Sequence, residues 1–209
     1  MIDFAWPRAT CLYAPSARDG FAIIAALTAT LTARYCPAVH RALGVVLGGA
    51  LLVACNPTLN WRETRIQDTA LVAMLPCKPD VGARTVPLGG RDVMLHMTGC
   101  DAGDATFAVA HATVASADAA PAVLSQWRKA TLANMGALSS GEVPLGGALR
   151  SGATAPIRVT AEGRRKDGSA VTMQGTWFAR DAQVFHAVVY AERISPEVTE
   201  AFFAGLKFQ

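Results

Sequence analysis

An uncharged run of 13 residues, 42–54, constrains more than any other feature what this chain can fold into. His40-Arg41 precedes the run, and Cys55 follows it. As a helix it would cover about 20 Å, which is short of the roughly 30 Å hydrocarbon core of a bilayer. A basic flank, a short apolar segment and small residues are typical of a signal peptide. The alternative is a buried core helix, which the glycines in the run disfavour.

The end of this run, Leu52-Val53-Ala54-Cys55, resembles the lipobox of bacterial lipoproteins. The resemblance implies that Cys55 receives a diacylglyceryl thioether and palmitate-like acyl chains, and that signal peptidase II cuts after Ala54. Two or more acyl chains hold a protein stably on a membrane. Asn56 is not the aspartate that signals inner-membrane retention, so the resemblance favours the periplasmic face of the outer membrane, with the inner membrane as the alternative.

The 41 residues before the apolar run are too many for an ordinary signal peptide. We therefore expect residues 1–38 to be an upstream extension that is not part of the native protein, with translation starting at Val39 and residues 39–54 serving as the signal peptide. A helix over the apolar patch 21–31 is the rival interpretation. Residues 55–67 are then a short lipidated tether, and residues 68–209 the folded domain.

Removal of residues 1–54, which we call the leader, would lower the net charge of the protein. The whole chain has a formal charge of +3, but four of its 19 basic and two of its 16 acidic residues precede Cys55, which leaves about +1. Binding of nucleic acid needs a basic face that neutralises phosphates. We therefore predict no nucleic-acid partner. The lipid bilayer is the predicted partner, with an unidentified envelope protein as a second one.

The remaining 155 residues are enough for one domain with a core. Alternating apolar residues predict seven strands, and three- and four-residue spacing predicts two helices. The strands are predicted at 70–76, 84–88, 92–98, 106–114, 157–163, 170–179 and 183–191, and the helices at 118–138 and from Ser195 onward. The last strand is apolar on both faces, which predicts a central position in the sheet. The stretch 139–152 is predicted to be a loop.

The packing of these elements can be predicted in part. Asp118 can cap the first helix, and Ser195 is the predicted N-cap of the second. The buried stripe of the first helix is predicted to consist of Leu124, Trp127, Thr131, Met135 and Leu138. The alanine face of the strand at 106–114 is expected to lie against a helix. Trp61 is expected to be the first core residue, with a position in the headgroup region as the alternative.

This order, ββββ-α-βββ-α with short hairpin turns, predicts an α+β fold in which two helices pack on an antiparallel sheet. The first predicted strand ends in Met74-Leu75-Pro76-Cys77-Lys78-Pro79. The element order and this strand ending resemble the PsbP-like α/β sandwich of small secreted proteins and lipoproteins. The resemblance implies a fold and carries no activity with it.

Two cysteines remain for a disulfide once the leader and the lipid are accounted for. Cys11 and Cys36 are discarded and Cys55 is acylated, so Cys77 and Cys100 are the predicted pair in an oxidising compartment. The bridge would stabilise the domain by about 3 kcal/mol in the chain-entropy model. A redox-active pair is the alternative, but the Cys-x-x-Cys spacing that lowers a thiol pKa is absent from the sequence.

No catalytic motif for an acyl, phosphoryl or dinucleotide reaction is found in the sequence. His96, His111 and His186 lie on three different predicted strands and would form a zinc site only if they converged. Isolated strand histidines are more often surface or core residues, so we predict no metal and no cofactor. The Arg164-Arg165-Lys166 run is interpreted as a solvated hairpin tip, with lipid headgroups or an acidic partner as the alternative.

The sequence thus predicts a non-enzymatic, membrane-anchored periplasmic lipoprotein that acts as a binding or envelope-accessory module. The first alternative is a small-ligand-binding lipoprotein with a pocket between the sheet and the helix at 118–138. The second is an enzyme whose site is assembled from distant residues.

Overall fold

The computed structural model describes residues 59–143, Leu149 and 153–209, and this part of the chain forms ten strands and two α-helices. The predicted leader and the lipobox Leu52–Cys55 lie outside the described residues. The strands are β1 Arg62–Arg65, β2 Leu71–Leu75, β3 Asp80–Leu88, β4 Arg91–Ala102, β5 Ala105–Thr113, β6 Ser139–Val143, β7 Thr154–Arg164, β8 Ala170–Arg180, β9 Gln183–Ala191 and β10 Lys207–Phe208. The helices are α1 Ala120–Asn134 and α2 Pro196–Ala204.

Strands β3 to β9 form one antiparallel sheet of seven strands in the order β3-β4-β5-β9-β8-β7-β6. Strand β9 is fourth of the seven, which confirms the central position predicted from its two apolar faces. Its Val184 and Val188 belong to one buried cluster, and its Phe185, Ala187 and Val189 belong to another. The large sheet is therefore covered on both sides.

Helix α1 covers the first face. The small side chains of Ala108, Ala110 and Ala112 on β5 leave room for Val123, Leu124 and Trp127 of the helix, and all of these residues are buried in one cluster. This packing confirms the prediction that the alanine face of β5 lies under a helix. Close approach of a helix to a sheet needs small residues at the contact, because the interior is packed without large voids.

A second layer covers the other face. It consists of helix α2 and a three-stranded antiparallel sheet with the order β1-β2-β10. Leu71 and Leu75 of β2 and Phe202 of α2 share a buried cluster with Phe107 and Phe185 of the large sheet. The α+β class with two packed helices is therefore confirmed, and the strands divide into two sheets rather than one.

Three strands were not predicted, and each carries little apolar patterning. Strand β1 lies inside the segment 55–67 that was expected to be a tether, and β6 lies inside the expected loop 139–152. The sequence of β1, Arg-Glu-Thr-Arg, has no apolar residue, and four of the five residues of β6 are exposed. The predicted strand 70–76 corresponds to β2 and belongs to the small sheet.

The start and end of α1 also differ from the prediction. Asp118 lies in a short 3-10 turn, and Ala119 occupies the N-cap position without a side-chain cap. The helix ends at Asn134, and Gly136 follows with a φ of +54°, a conformation that glycine adopts at low cost. Leu138, which was expected on the buried stripe of this helix, is instead 75% exposed. Ser195 is the N-cap of α2, as predicted.

The disulfide between Cys77 and Cys100 is present, with a Cα–Cα distance of 6.0 Å. Cys77 lies just after β2 in the small sheet, and Cys100 lies in β4 of the large sheet. The bridge therefore joins the two sheets. Within the described part of the chain, neither α-helix has the length and hydropathy needed to cross a membrane.

Candidate functional site

Two histidines from neighbouring strands stack at one end of the large sheet. His96 of β4 is the direct cross-strand partner of His111 of β5. Their ring centroids are 5.0 Å apart, and the ring planes differ by 14°. His111 is only 4% exposed and also contacts Phe185 of β9, whereas His96 is partly exposed. The pair thus has one buried and one accessible imidazole.

The stacked pair lies in an open cleft of about 310 Å³, which we call the histidine cleft. A volume of this size is at the lower end of the range of small-ligand sites. The cleft is lined by Asp68, Arg91, Asp92, Val93, Met94, His96, His111, Thr113 and Gln183. It lies on the face of the large sheet that carries the small sheet, opposite to α1.

The turn between β1 and β2 forms one wall of the cleft and is held by several hydrogen bonds. Gln183 Nε2 donates to the Asp68 carbonyl oxygen at 3.0 Å. Thr69 Oγ1 donates to the Ile66 carbonyl oxygen at 2.9 Å and accepts from the Leu71 amide at 3.0 Å. Asp68 has a φ of +59°, which aspartate tolerates better than most residues. These contacts fix the Asp68 wall relative to β9.

His111 is electrically neutral at neutral pH. Its pKa is lowered from 6.5 to about 4, mainly by burial and secondly by the neighbouring His96. Asp68 and a hydrogen bond to the backbone of Gln67 act in the opposite direction but are weaker. A backbone carbonyl accepts a hydrogen bond from an imidazole N–H, so this bond selects one tautomer of His111.

The third histidine, His186, lies on the other face of the sheet. Its ring stacks on Trp177 at 4.2 Å and meets the edge of Trp127 at 5.5 Å. The three histidines therefore do not converge, and the zinc site that would have required their convergence is not formed. Among the described residues, no group of three His, Cys, Asp or Glu side chains is placed to hold a metal ion.

We expect His186 to make the domain sensitive to mild acid. Burial lowers its folded-state pKa to about 3, below the 6.5 of the unfolded chain. The unfolded state therefore binds the proton first, and stability that is full above pH 6.5 is lost as the pH falls. Between pH 7 and pH 5 this one group should cost about 2 kcal/mol of unfolding free energy.

Urea unfolding of the wild type and of His186→Phe at both pH values would measure this loss. The neighbours Trp127, Trp177 and Ala110 carry no charge, so the variant should lose about 2 kcal/mol less than the wild type on acidification. His111 remains in both proteins and cancels in the comparison. An equal loss in the two proteins would show that His186 does not cause the acid sensitivity.

A buried arginine lies beneath α2, on the same face as the histidine cleft. The side chain of Arg158 on β7 is 3% exposed, and its Nη1 lies 2.8 Å from Glu200 Oε1 of α2. Its Nη2 donates to Gln174 Oε1 at 2.7 Å, and its guanidinium lies 4.1 Å from the centre of the Phe203 ring. These contacts attach α2 to the sheet, and their role is structural.

The other residues singled out in the sequence take structural positions. Trp61 is partly buried and meets Phe107 edge-on at 6.1 Å, as expected for a first core residue. Arg164, Arg165 and Lys166 are exposed around the β7–β8 hairpin, where Arg164 Nη1 donates to the Gly168 carbonyl oxygen. The histidine cleft itself was not predicted. Met94 and His96 do share one face in the sequence pattern, but their pairing with His111 depends on strand register.

The comparisons with known proteins add no function. No protein-family description matches the chain, and no curated protein matches it. Among solved structures, a protein of unknown function from Pseudomonas aeruginosa, described as a putative regulator, aligns with 66% of this chain and 84% of its own at 11% identity. The TM-score is 0.27, which is too low to indicate a common fold.

Proposed function

We propose that this protein is a lipid-anchored, non-enzymatic binding or accessory module of the bacterial cell envelope, held by acylated Cys55 at the periplasmic face of the outer membrane. The observation that carries the proposal is the lipobox Leu52-Val53-Ala54-Cys55 ahead of a domain that contains the Cys77–Cys100 disulfide. Disulfides form and persist in oxidising compartments such as the bacterial periplasm. The motif and the bridge therefore support the same compartment from independent parts of the chain.

In this proposal the short chain between Cys55 and the domain supports a position near the bilayer. Only three residues separate Cys55 from Leu59, the first described residue, and even fully extended they reach about 14 Å. Strand β1 begins at Arg62, so the small sheet begins only seven residues after Cys55. We infer a module that works close to its membrane rather than one that reaches across the periplasm.

The test is acylation and fractionation of cysteine variants in a bacterial host. Wild-type protein should incorporate an alkyne-tagged palmitate and sediment with membranes, because two or more acyl chains anchor a protein stably. Cys55→Ser should lose the label and leave the membrane fraction. Asn56→Ser is the matched control, because it changes the residue next to the acylation site and keeps Cys55, so it should behave as wild type. Label that persists in Cys55→Ser would refute the proposed anchor.

Binding of a small ligand is the second candidate function, and the histidine cleft is the observation that favours it. The cleft combines carboxylates, a guanidinium, an amide and two imidazoles around one open volume. Small-ligand sites place a few convergent polar groups in such a concave surface. The sequence had suggested a pocket between the sheet and the helix at 118–138, whereas the cleft lies on the opposite face.

A further inference from the structure

Strand β3 forms one edge of the seven-stranded sheet and has few of the features that protect an edge. Within the described residues only β4 pairs with it, in an unshifted register over all nine residues. An edge strand exposes unpaired backbone N–H and C=O groups, which proteins block with prolines, bulges or short strands. Pro79 precedes β3 and Pro87 is its next-to-last residue, so the stretch 80–86 contains no proline. This stretch can therefore pair with a further strand.

One face of this edge carries two opposite charges. Asp80, Gly82 and Arg84 point to the side of the sheet that carries α1, because Val86 and Leu88 in the same alternation belong to the α1 cluster. Asp80 is exposed and Arg84 is partly exposed. The two side chains are separated by four residues, or about 13 Å along the strand, so they do not pair with each other within one copy.

The guanidinium of Arg84 lacks acceptors. Its Nε and Nη2 atoms are buried, and neither has a hydrogen-bond partner in the part of the chain that the structure describes. Buried donors without an acceptor cost free energy, and the cost is larger for a charged group. A carboxylate that approaches the edge of the sheet on the accessible side of Arg84 would therefore stabilise the guanidinium.

The other face of the same edge is apolar. Val81 is 66% exposed, and Ala83, the next residue on this face, is exposed as well. A strand that pairs with β3 would cover both side chains if it brought apolar residues to this face and charged residues to the other. The stretch 80–84 of β3 itself has this pattern.

We propose that two copies of this chain associate through β3, antiparallel and centred on Gly82, and form a two-fold symmetric dimer. In this register Asp80 lies opposite Arg84 of the partner subunit, and the symmetry repeats the pair, as in any isologous interface. Directly opposite residues have Cβ atoms about 4.5–5.5 Å apart, which is within reach of an ion pair. On the other face, Val81 of each copy lies opposite Ala83 of the partner subunit.

The charges select this register over its neighbours. A centre on Ala83 would place Arg84 opposite Gly82 of the partner subunit and diagonal to a second Arg84. A centre on Val81 would place Arg84 opposite Lys78 of the partner subunit. Like charges on adjacent strands are destabilising, whereas the centre on Gly82 gives two pairs of opposite charge.

Cross-linking at the symmetry axis tests the dimer. Gly82→Cys places two thiols opposite each other in the proposed register, and a Cβ atom at Gly82 meets no atom within 4 Å. The full-length protein in mild detergent would be oxidised without prior reduction, and covalent dimers would be measured on non-reducing gels against the wild-type background. We expect rapid formation of a covalent dimer. The result does not depend on acylation of Cys55.

Gly141→Cys is the matched control. It lies on β6, the opposite edge of the same sheet, and a Cβ atom there also meets no atom within 4 Å. This variant should cross-link no faster than the wild type. Equal cross-linking of the two cysteine variants would show random collision and would overturn the proposal, and so would a Gly82→Cys protein that forms no covalent dimer.

Charge reversal in the Gly82→Cys protein tests the two ion pairs. Asp80→Arg and Arg84→Asp should each slow cross-linking roughly tenfold, because two attractive pairs become two like-charge pairs. The double variant with both changes restores opposite charges and should recover the rate, which also excludes unfolding as the cause of the single losses. Arg165→Asp, an exposed change at the β7–β8 hairpin, should have no effect. Single reversals without effect, or a double variant that stays slow, would contradict the proposed register.

Discussion

Replacing Trp127 with alanine is expected to lower the free energy of unfolding by about 3–5 kcal/mol, the range for large-to-small changes at buried aromatic residues. Trp127 is fully buried and is the largest side chain that α1 inserts between itself and the sheet. It also contacts the ring of His186 at 5.5 Å. Its removal leaves a cavity that the rigid sheet beneath cannot close. Urea unfolding followed by far-UV circular dichroism would measure the change.

Leu138→Ala provides the control for this experiment. Leu138 was expected on the same helical stripe as Trp127, but it is 75% exposed beyond the end of α1. Substitutions at exposed positions usually change stability by less than about 0.5 kcal/mol. The two variants should therefore differ by several kcal/mol. Similar losses in both would mean that the segment after α1 packs on the sheet and that the helix boundary is wrong.

The contrast between Trp127 and Leu138 shows that a periodic pattern predicts which side of a helix is buried but does not predict where the helix ends. Spacing of three and four residues correctly assigned Leu124, Trp127, Thr131 and Met135 to the buried side of α1. The pattern contains no information on where the helix stops, because Leu138 continues it. Gly136, with its positive φ, ends the helical periodicity. A glycine near the end of a periodic stretch is a helix-stop signal, and the prediction, which was based on apolar spacing, did not use it.

Strands could be predicted where burial imposes an apolar pattern on one or both faces. They were missed where the strand is short, polar and at the edge of a sheet. Strand β9 is apolar on both faces because both layers pack on it, so its existence and central position could be predicted. Strands β1 and β6 lie at sheet edges and have polar sequences. Strand β10 has two residues and pairs with β2, more than 130 residues earlier in the chain. A local pattern cannot indicate such a pairing, so the division into two sheets was not foreseen.

The histidine cleft illustrates the same limit for the candidate site. That Met94 and His96 share a face follows from the period of a strand. That His111 stacks on His96 follows from the register of β4 and β5, which depends on the hairpin at 103–104 and on burial along both strands. That Asp68 closes the cleft depends on the small sheet, which was not predicted. Each further contact of the site therefore required a longer-range contact of the fold.

Removing the disulfide is expected to cost about 3 kcal/mol of unfolding free energy. The bridge between Cys77 and Cys100 closes a loop with a sequence separation of 23. In the chain-entropy model a loop of this length stabilises by about 3 kcal/mol through its effect on the unfolded chain. The change to make is Cys77→Ala with Cys100→Ala, because Cys100 is buried and serine would place a hydroxyl there.

The position of the disulfide predicts which part of the fold should lose stability first when the disulfide is removed. Cys77 follows β2 and Cys100 lies in β4, so the bridge attaches the three-stranded sheet to the seven-stranded one. Local opening concentrates in parts with few constraints. Without the bridge, amide exchange should rise more in β1, β2 and β10 than in β5, β8 and β9. The β1–β2 turn carries Asp68, so the wall of the histidine cleft should loosen with the small sheet.

Reduction supplies the control for this prediction within the wild-type protein. A thiol reductant should shift the urea midpoint of the wild type toward that of the double variant and leave the variant unchanged, since the variant has no bridge to lose. Any cysteine other than Cys77 and Cys100 is the same in both proteins, so its contribution cancels in the comparison. A reductant effect of equal size in the double variant, or exchange that rises uniformly over both sheets, would contradict the assignment of the bridge as the connection between them.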